Sequence, residues 1–335
     1  MSSNLPLAVS LLLTTAVNLH AQDACPRIMT QDSTLNNLVD PPGYAPGKSG
    51  TLGNVIRAGN GQQAMILIPG LGFGGSVFKE FMETNAARYR MYAVTLPGFG
   101  GTAAPPLPPE GTSFGEQTWT NATIAAIETL MEDEKLRSPV LVGHWLTGTQ
   151  IALRLAMKHP SRIKAVILLS GSAKMMVTGA YAPYYESPAK RIVAIDTYLA
   201  PKWFKTVTRE TWDDNNFLPG DYAVNPVLGL RLWREAAAPR LHVWIHYLCE
   251  FNAQDIMADL GTLTVPTLLL RPGLEGFAQD PDQNYMVNYC HTSWDGVEEN
   301  SNIAVKTIPD SRVFLWLDQP QRAGEEIGSF LEGIH

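Results

Sequence analysis

Short apolar runs alternate along this chain with longer stretches in which apolar residues recur every three or four positions. The runs 64–68, 91–96, 140–142, 165–169 and 265–270 are almost wholly apolar, which predicts strands covered on both faces, as in a parallel sheet. Between them, 77–89, 120–135 and 151–157 read as helices; in 120–135 the spacing is carried by Ile124, Ile127, Leu130 and Met131. Residues 52–58 read as an edge strand, and Asn60-Gly61 supplies a turn into the next run. A last strand is expected over 303–308 and a closing helix over 323–331. Alternating buried strands and helices imply an α/β fold with right-handed crossovers.

The pattern changes between 171 and 263. Trp203, Trp212, Trp233 and Trp244 all fall here with Pro219-Gly220 and several helical stretches, but no buried strand. This predicts a helical insertion lying over the sheet. The expected organisation is a signal peptide over 1–21 and an irregular arm over 22–51. The core then occupies 52–171, a helical lid 172–263, and the core resumes over 264–335. The leader is an apolar run over 5–17 followed by Leu19-His20-Ala21, too short for a comfortable membrane span and without Lys or Arg. It implies a secreted or periplasmic protein; the alternative is a cytoplasmic protein with an apolar tail.

Composition narrows the partners. With 335 residues, 45% hydrophobic and 17% charged, the chain suffices for one large α/β domain or two small ones. A net charge of -7 argues against nucleic acid and anionic membrane as partners. Cys25, Cys249 and Cys290 permit at most one disulfide, an accessory in a core of this size. Nothing resembles a zinc spacing, and no cofactor is expected. The expected partner is a small apolar molecule in a lidded pocket, with no nucleic acid and no stable membrane insertion.

Candidate chemistry centres on the run after strand 140–142, Gly143-His144-Trp145-Leu146-Thr147-Gly148. Strand, tight turn and helix, with small residues around one tip residue, is the layout of a nucleophile elbow. Three other motifs accompany it: Leu67-Ile68-Pro69-Gly70-Leu71-Gly72, Leu96-Pro97-Gly98-Phe99-Gly100, and Asp310-Ser311-Arg312-Val313-Phe314-Leu315-Trp316-Leu317-Asp318-Gln319-Pro320. In order and spacing the four together resemble the α/β-hydrolase family from about residue 52 onward. The resemblance implies a mostly parallel sheet flanked by helices, an oxyanion loop at 67–72, and ester, lactone or amide hydrolysis.

That family needs Ser, Cys or Asp at the elbow tip to present a lone pair, yet the tip is Trp145. Its general base is an imidazole directly before Phe314, yet that position is Val313. Glu275, in the loop after the strand over 265–270, is the candidate acid. The backbone N–H groups of Leu71 and Leu146 stand at the family's oxyanion positions and do not depend on side-chain identity. The resemblance thus implies a scaffold without a working Ser-His-acid triad, a pseudohydrolase or an impaired enzyme. The alternatives are an active hydrolase of small apolar esters or lactones using non-standard residues, or a lyase or isomerase on the same scaffold.

Other residues read as structural. His144 is expected to point away from the pocket, Thr147 to be a packing change, Ser76 to cap a helix, and His291 to precede the last strand. His242, His246 and Glu250, at i, i+4 and i+8, share a helical face, but the Glu of a His-Glu-x-x-His motif is replaced by Val243. A polar face of a lid helix is preferred to a metal site there. Asn121-Ala122-Thr123 is a glycosylation sequon at a predicted helix start.

Overall fold

The computed structural model describes residues 51–208, 218–280 and 284–334. The predicted leader, most of the arm, Cys25 and Trp212 therefore lie outside the described residues. Five of the strands fall where the apolar runs place them. Strand β1 (Asn54–Ala58) is half-exposed, whereas β2 (Gln63–Ile68) becomes fully buried after its first residue. The helix expected over 77–89 is shorter. A 3-10 turn, Gly75–Phe78, leads into α1 (Lys79–Asn85), and Tyr89 already belongs to β3 (Tyr89–Thr95), paired with Gln63.

Next come α2 (Thr118–Asp133), β4 (Val140–His144), α3 (Trp145–Lys158) and β5 (Ala165–Leu169). The segment between β5 and β6 holds α4 (Pro188–Ala194), α5 (Ala200–Thr206), α6 (Pro219–Tyr222), α7 (Pro226–Ala237) and α8 (Leu241–Asn252). The chain returns to the sheet as β6 (Thr267–Pro272), adds the short helix α9 (Tyr285–Cys290), and forms β7 (Ile303–Ile308). It closes with α10 (Leu315–Asp318) and α11 (Pro320–Glu332). The helix α9 was not legible in the sequence, being only six residues long.

The seven strands lie in the order β1-β3-β2-β4-β5-β6-β7. Only β1 runs antiparallel, against β3; every other neighbouring pair is parallel. Strands β4 and β5 are buried at every position, which is why they read as unbroken aliphatic runs rather than alternating ones. Their carboxyl ends finish side by side, His144 opposite Leu169, so the chain leaves both strands along one edge of the sheet. In open α/β sheets ligands bind outside that edge. Among the described residues, no helix is long and apolar enough to cross a membrane.

Candidate functional site

The turn from β4 into α3 has no spare residue: His144 ends the strand and Trp145 begins the helix. The reversal is taken up by Trp145, whose φ is 49°, a left-handed value that costs a bulky residue about 1–3 kcal/mol. Two glycines make the crossing possible. A Cβ on Gly148 would stand 2.4 Å from the Ile68 carbonyl oxygen, and one on Gly143 2.4 Å from the Gly148 carbonyl oxygen. Gly70 is held small by the same packing, since its Cβ would meet the Trp145 Cβ at 3.0 Å. Ser170, Leu274 and Asp310, just beyond β5, β6 and β7, also have positive φ (50°, 56° and 50°). Backbone strain in the sheet is thus gathered along its carboxyl edge.

The indole of Trp145 is fully buried and meets the Tyr222 ring edge-on at 6.1 Å. Burial of an aromatic side chain contributes about 1.5–3 kcal/mol, enough to offset the strain at its backbone. His144 faces the other way, as expected. Its Nδ1 accepts the Gly70 N–H at 3.2 Å, which leaves Nε2 to donate to the Val313 carbonyl oxygen at 3.3 Å. Phe314 and Trp316 close round the imidazole at 4.6 and 4.7 Å. Desolvation in that aromatic box pulls its pKa down to about 3. His144 is therefore a neutral bolt joining three loops at the carboxyl edge.

Val313 is fully buried, its amide donating to the Asp221 carbonyl oxygen at 3.3 Å. Trp145 and Val313, far apart in sequence, are thus joined through the residue before the indole. Leu71 and Leu146 are buried, and as the second residue of α3 Leu146 contributes one of the N–H groups a helix leaves unpaired. The loop carrying Leu71 is pinned from above. Glu235 of α7 accepts from the Gly74 N–H at 3.4 Å and from the Ser76 hydroxyl at 3.2 Å. Ser76 therefore does not cap a helix: it lies inside the 3-10 turn and reaches across to α7. Burial raises the pKa of Glu235. No sequence signal marked this residue, because its partners lie far away in the chain.

Glu275 is exposed, and its carboxylate accepts the Asp310 N–H at 3.0 Å, tying the loop after β6 to the loop after β7. His291 hydrogen-bonds the Pro272 carbonyl oxygen at 2.7 Å. Two further carboxylates were missed by the sequence reading. Asp318 accepts from the Val224 and Arg312 amides at 2.9 and 2.8 Å, and Asp221 from the Leu218 amide at 2.7 Å. Desolvation pushes the Asp221 carboxyl up to about 7.

The stripe on α8 corrects a second expectation. It is not a solvated polar face, since every residue from Leu241 to Asn252 is buried. Glu250 closes the start of α2 instead, accepting from the amides of Trp119 and Thr120 at 2.8 and 2.9 Å and the Thr120 hydroxyl at 2.6 Å. His246 lies 3.1 Å from the same carboxylate and stacks on Trp119 at 3.8 Å. A carboxylate is favoured there because a helix start carries unpaired N–H groups and partial positive charge. Among the described residues, no group of three His, Cys, Asp or Glu side chains is arranged to hold a metal ion. Cys249 and Cys290 are both free thiols and buried. Asn121 of the sequon is bonded through its amide nitrogen to the Glu116 carbonyl oxygen and through its oxygen to Arg154.

With this geometry in view, known proteins can be set beside the chain. A sequence profile described as the alpha/beta hydrolase family matches residues 65–325. A pimeloyl-(acyl-carrier protein) methyl ester esterase of Aeromonas salmonicida is 32% identical over 214 residues, 62% of this chain and 76% of that protein. Its counterpart from Aeromonas hydrophila is 27% identical over 219 residues, 64% of this chain and 78% of that protein. Among solved structures, an esterase from Exiguobacterium antarcticum superposes with a TM-score of 0.57 at 17% identity, covering 83% of this chain and 95% of its own. A thermophilic esterase from Thermogutta terrifontis gives 0.58 at 16% identity, over 84% and 93%; both likenesses bear on the fold alone. The sheet order, the strained strand-to-helix turn and a profile match over most of its length agree: this chain belongs to the alpha/beta hydrolase family.

Proposed function

We propose that this protein keeps the hydrolase scaffold without a Ser-His-acid triad, and that it binds a small apolar molecule beneath its helical segment rather than cleaving esters at the family's rate. In this reading Trp145 occupies the nucleophile position, Val313 the imidazole position, and Glu275 is an acid with no imidazole to orient. The segment 172–263 is the lid, and Leu71 and Leu146 supply two amides for a carbonyl or carboxylate oxygen. One observation carries the reading: the residue at the strained elbow tip is a buried indole, which has no lone pair to give a carbonyl carbon. The esterase relatives support ester hydrolysis as the ancestral chemistry.

The test uses p-nitrophenyl acetate and butyrate with the chain itself and with the Trp145→Ser, Val313→His double variant. The expected result is no turnover above background by the unaltered chain, and measurable turnover once hydroxyl and imidazole are restored. Turnover of about 1 s⁻¹ or faster by the unaltered chain, within the ordinary enzyme range, would defeat the reading.

A further inference from the structure

The aromatic group above the elbow carries one polar atom that packing does not explain. Tyr222 ends α6 and is 1% exposed. Its ring meets Phe73 edge-on at 5.6 Å and Trp145 edge-on at 6.1 Å, and lies 6.1 Å from the Phe314 ring. A phenylalanine would make the same three contacts. Among the described residues the Tyr222 hydroxyl has no hydrogen-bond partner, although a buried tyrosine usually finds one. Stranding it costs free energy that a phenylalanine would not.

The ring does not owe its place to a loose loop. The Tyr222 carbonyl oxygen accepts the Phe314 N–H at 3.0 Å, and that of Asp221 accepts the Val313 N–H at 3.3 Å. Asp318 holds the Val224 N–H at 2.9 Å. Anchors at 221, 222 and 224 thus fix the ring over the elbow tip. The Asp221 carboxylate does not serve the hydroxyl, since it accepts from the Leu218 N–H at 2.7 Å. Burial, with the charge of Asp221 adding to it, raises the pKa of Tyr222 well above its ordinary value, so the hydroxyl keeps its proton and stays a donor.

Two amides beside the ring are in the same position. Leu71 is fully buried, and its N–H donates to nothing among the described residues. Phe73, two residues further on, touches the Tyr222 ring. Trp145 touches it from the other side and precedes Leu146, whose N–H the first turn of α3 leaves without a helical partner. Three donors from three segments therefore surround one strained tip. Donors without acceptors select an occupant that brings lone pairs. The rings around them are uncharged, and His144 is neutral at ordinary pH. A neutral carbonyl suits that box better than a carboxylate, whose charge would be desolvated without a cation.

We propose, on the reading of 172–263 as a lid over a ligand, that Tyr222 is a ligand-binding residue. Its hydroxyl donates to the carbonyl oxygen of a small apolar ketone, ester or lactone, beside the Leu71 and Leu146 amides. The hydroxyl thereby sets which apolar molecules the site takes, because a compound without the acceptor leaves all three donors stranded.

Isothermal titration calorimetry of the full chain tests it with cyclohexanone and with methylenecyclohexane, which has the same shape but a CH₂ group in place of the oxygen. The expected result is saturable binding of the ketone, with the alkene at least about tenfold weaker. Tyr222→Phe keeps the ring packing, weakens the ketone about tenfold and leaves the alkene unchanged. Without any probe, urea unfolding shows Tyr222→Phe at least as stable as the parent, because no protein partner is lost. Equal ketone affinity in parent and variant overturns the proposal while leaving a ligand beneath the lid, as does an alkene that binds as well as the ketone. A variant less stable than the parent reveals a protein partner for the hydroxyl and overturns it independently of any ligand. If the parent binds neither probe, the lid reading fails and takes this role of Tyr222 with it.

Discussion

His144 offers a sharp test of how the carboxyl edge is held together. Replacing it by Gln keeps both hydrogen bonds available, since an amide oxygen can accept the Gly70 N–H and an amide nitrogen can donate to the Val313 carbonyl oxygen. What the change removes is the ability to titrate. The folded pKa of His144 is about 3 against an ordinary value of 6.5. A depressed imidazole contributes stability that is complete above pH 6.5 and is lost as pH falls towards 3, because only the unfolded chain takes up the proton. The loss runs at about 1.4 kcal/mol per pH unit below 6.5, so it reaches about 2 kcal/mol at pH 5.

The glutamine variant escapes that loss. At pH 8 it is expected to be less stable than the parent by about 1–2 kcal/mol, because an amide fills the box of Phe73, Phe314 and Trp316 less well than an imidazole. By pH 5 the gap should close or reverse. Asp221, with its pKa raised, titrates in the opposite sense in both proteins and cancels in the difference. Urea unfolding followed by tryptophan fluorescence from pH 8 to pH 4.5 gives the two stability curves. A difference that stays constant within about 0.5 kcal/mol across that range would refute a neutral, desolvated His144.

Other expectations follow from the same geometry. Asp221→Asn should stabilise the protein by about 1–2 kcal/mol above pH 7 but not below pH 4, because a carboxyl held protonated to about pH 7 costs stability as pH rises from 4 to 7; thermal melts at both pH values would check it. Glu250→Ala should cost about 3–5 kcal/mol in urea unfolding, since two buried amides and a hydroxyl at the start of α2 lose their acceptor. Gly148→Ala should cost about 3 kcal/mol or more, the new methyl falling 2.4 Å from backbone that cannot move aside. Trp145→Ala should cost about 3–5 kcal/mol through the cavity it leaves, less whatever strain is relieved at its backbone; a neutral result in urea would show that the indole is not a packing element.

Much of this molecule is decided by local pattern. The strand over 165–169 is where its apolar run places it, because a strand buried on both faces admits no polar position and so declares itself. The strand over 303–308 also lies where expected, at the end of the sheet, with Ala304, Lys306 and Thr307 exposed. The elbow is legible for a similar reason, since glycines at 143 and 148 are needed wherever two backbones cross at contact distance. The two residues that set the reading of the site, Trp145 and Val313, are equally plain in the sequence.

What tertiary structure alone decided is where the polar side chains go. Glu250 looked solvated because its helix shows a charged stripe, yet it caps a helix that begins more than a hundred residues earlier. Glu235 and Asp318 leave no trace in periodicity, because Glu235 accepts from the Gly74 amide and Ser76 hydroxyl and Asp318 from the Val224 amide, all far away in the chain. Hydrophobic burial is written in spacing along one segment, whereas a hydrogen bond between segments depends on which ends the sheet order brings together. Sequence therefore determined the layers and the tryptophan at the strained turn; the assembled fold determined what holds the edge of the sheet shut.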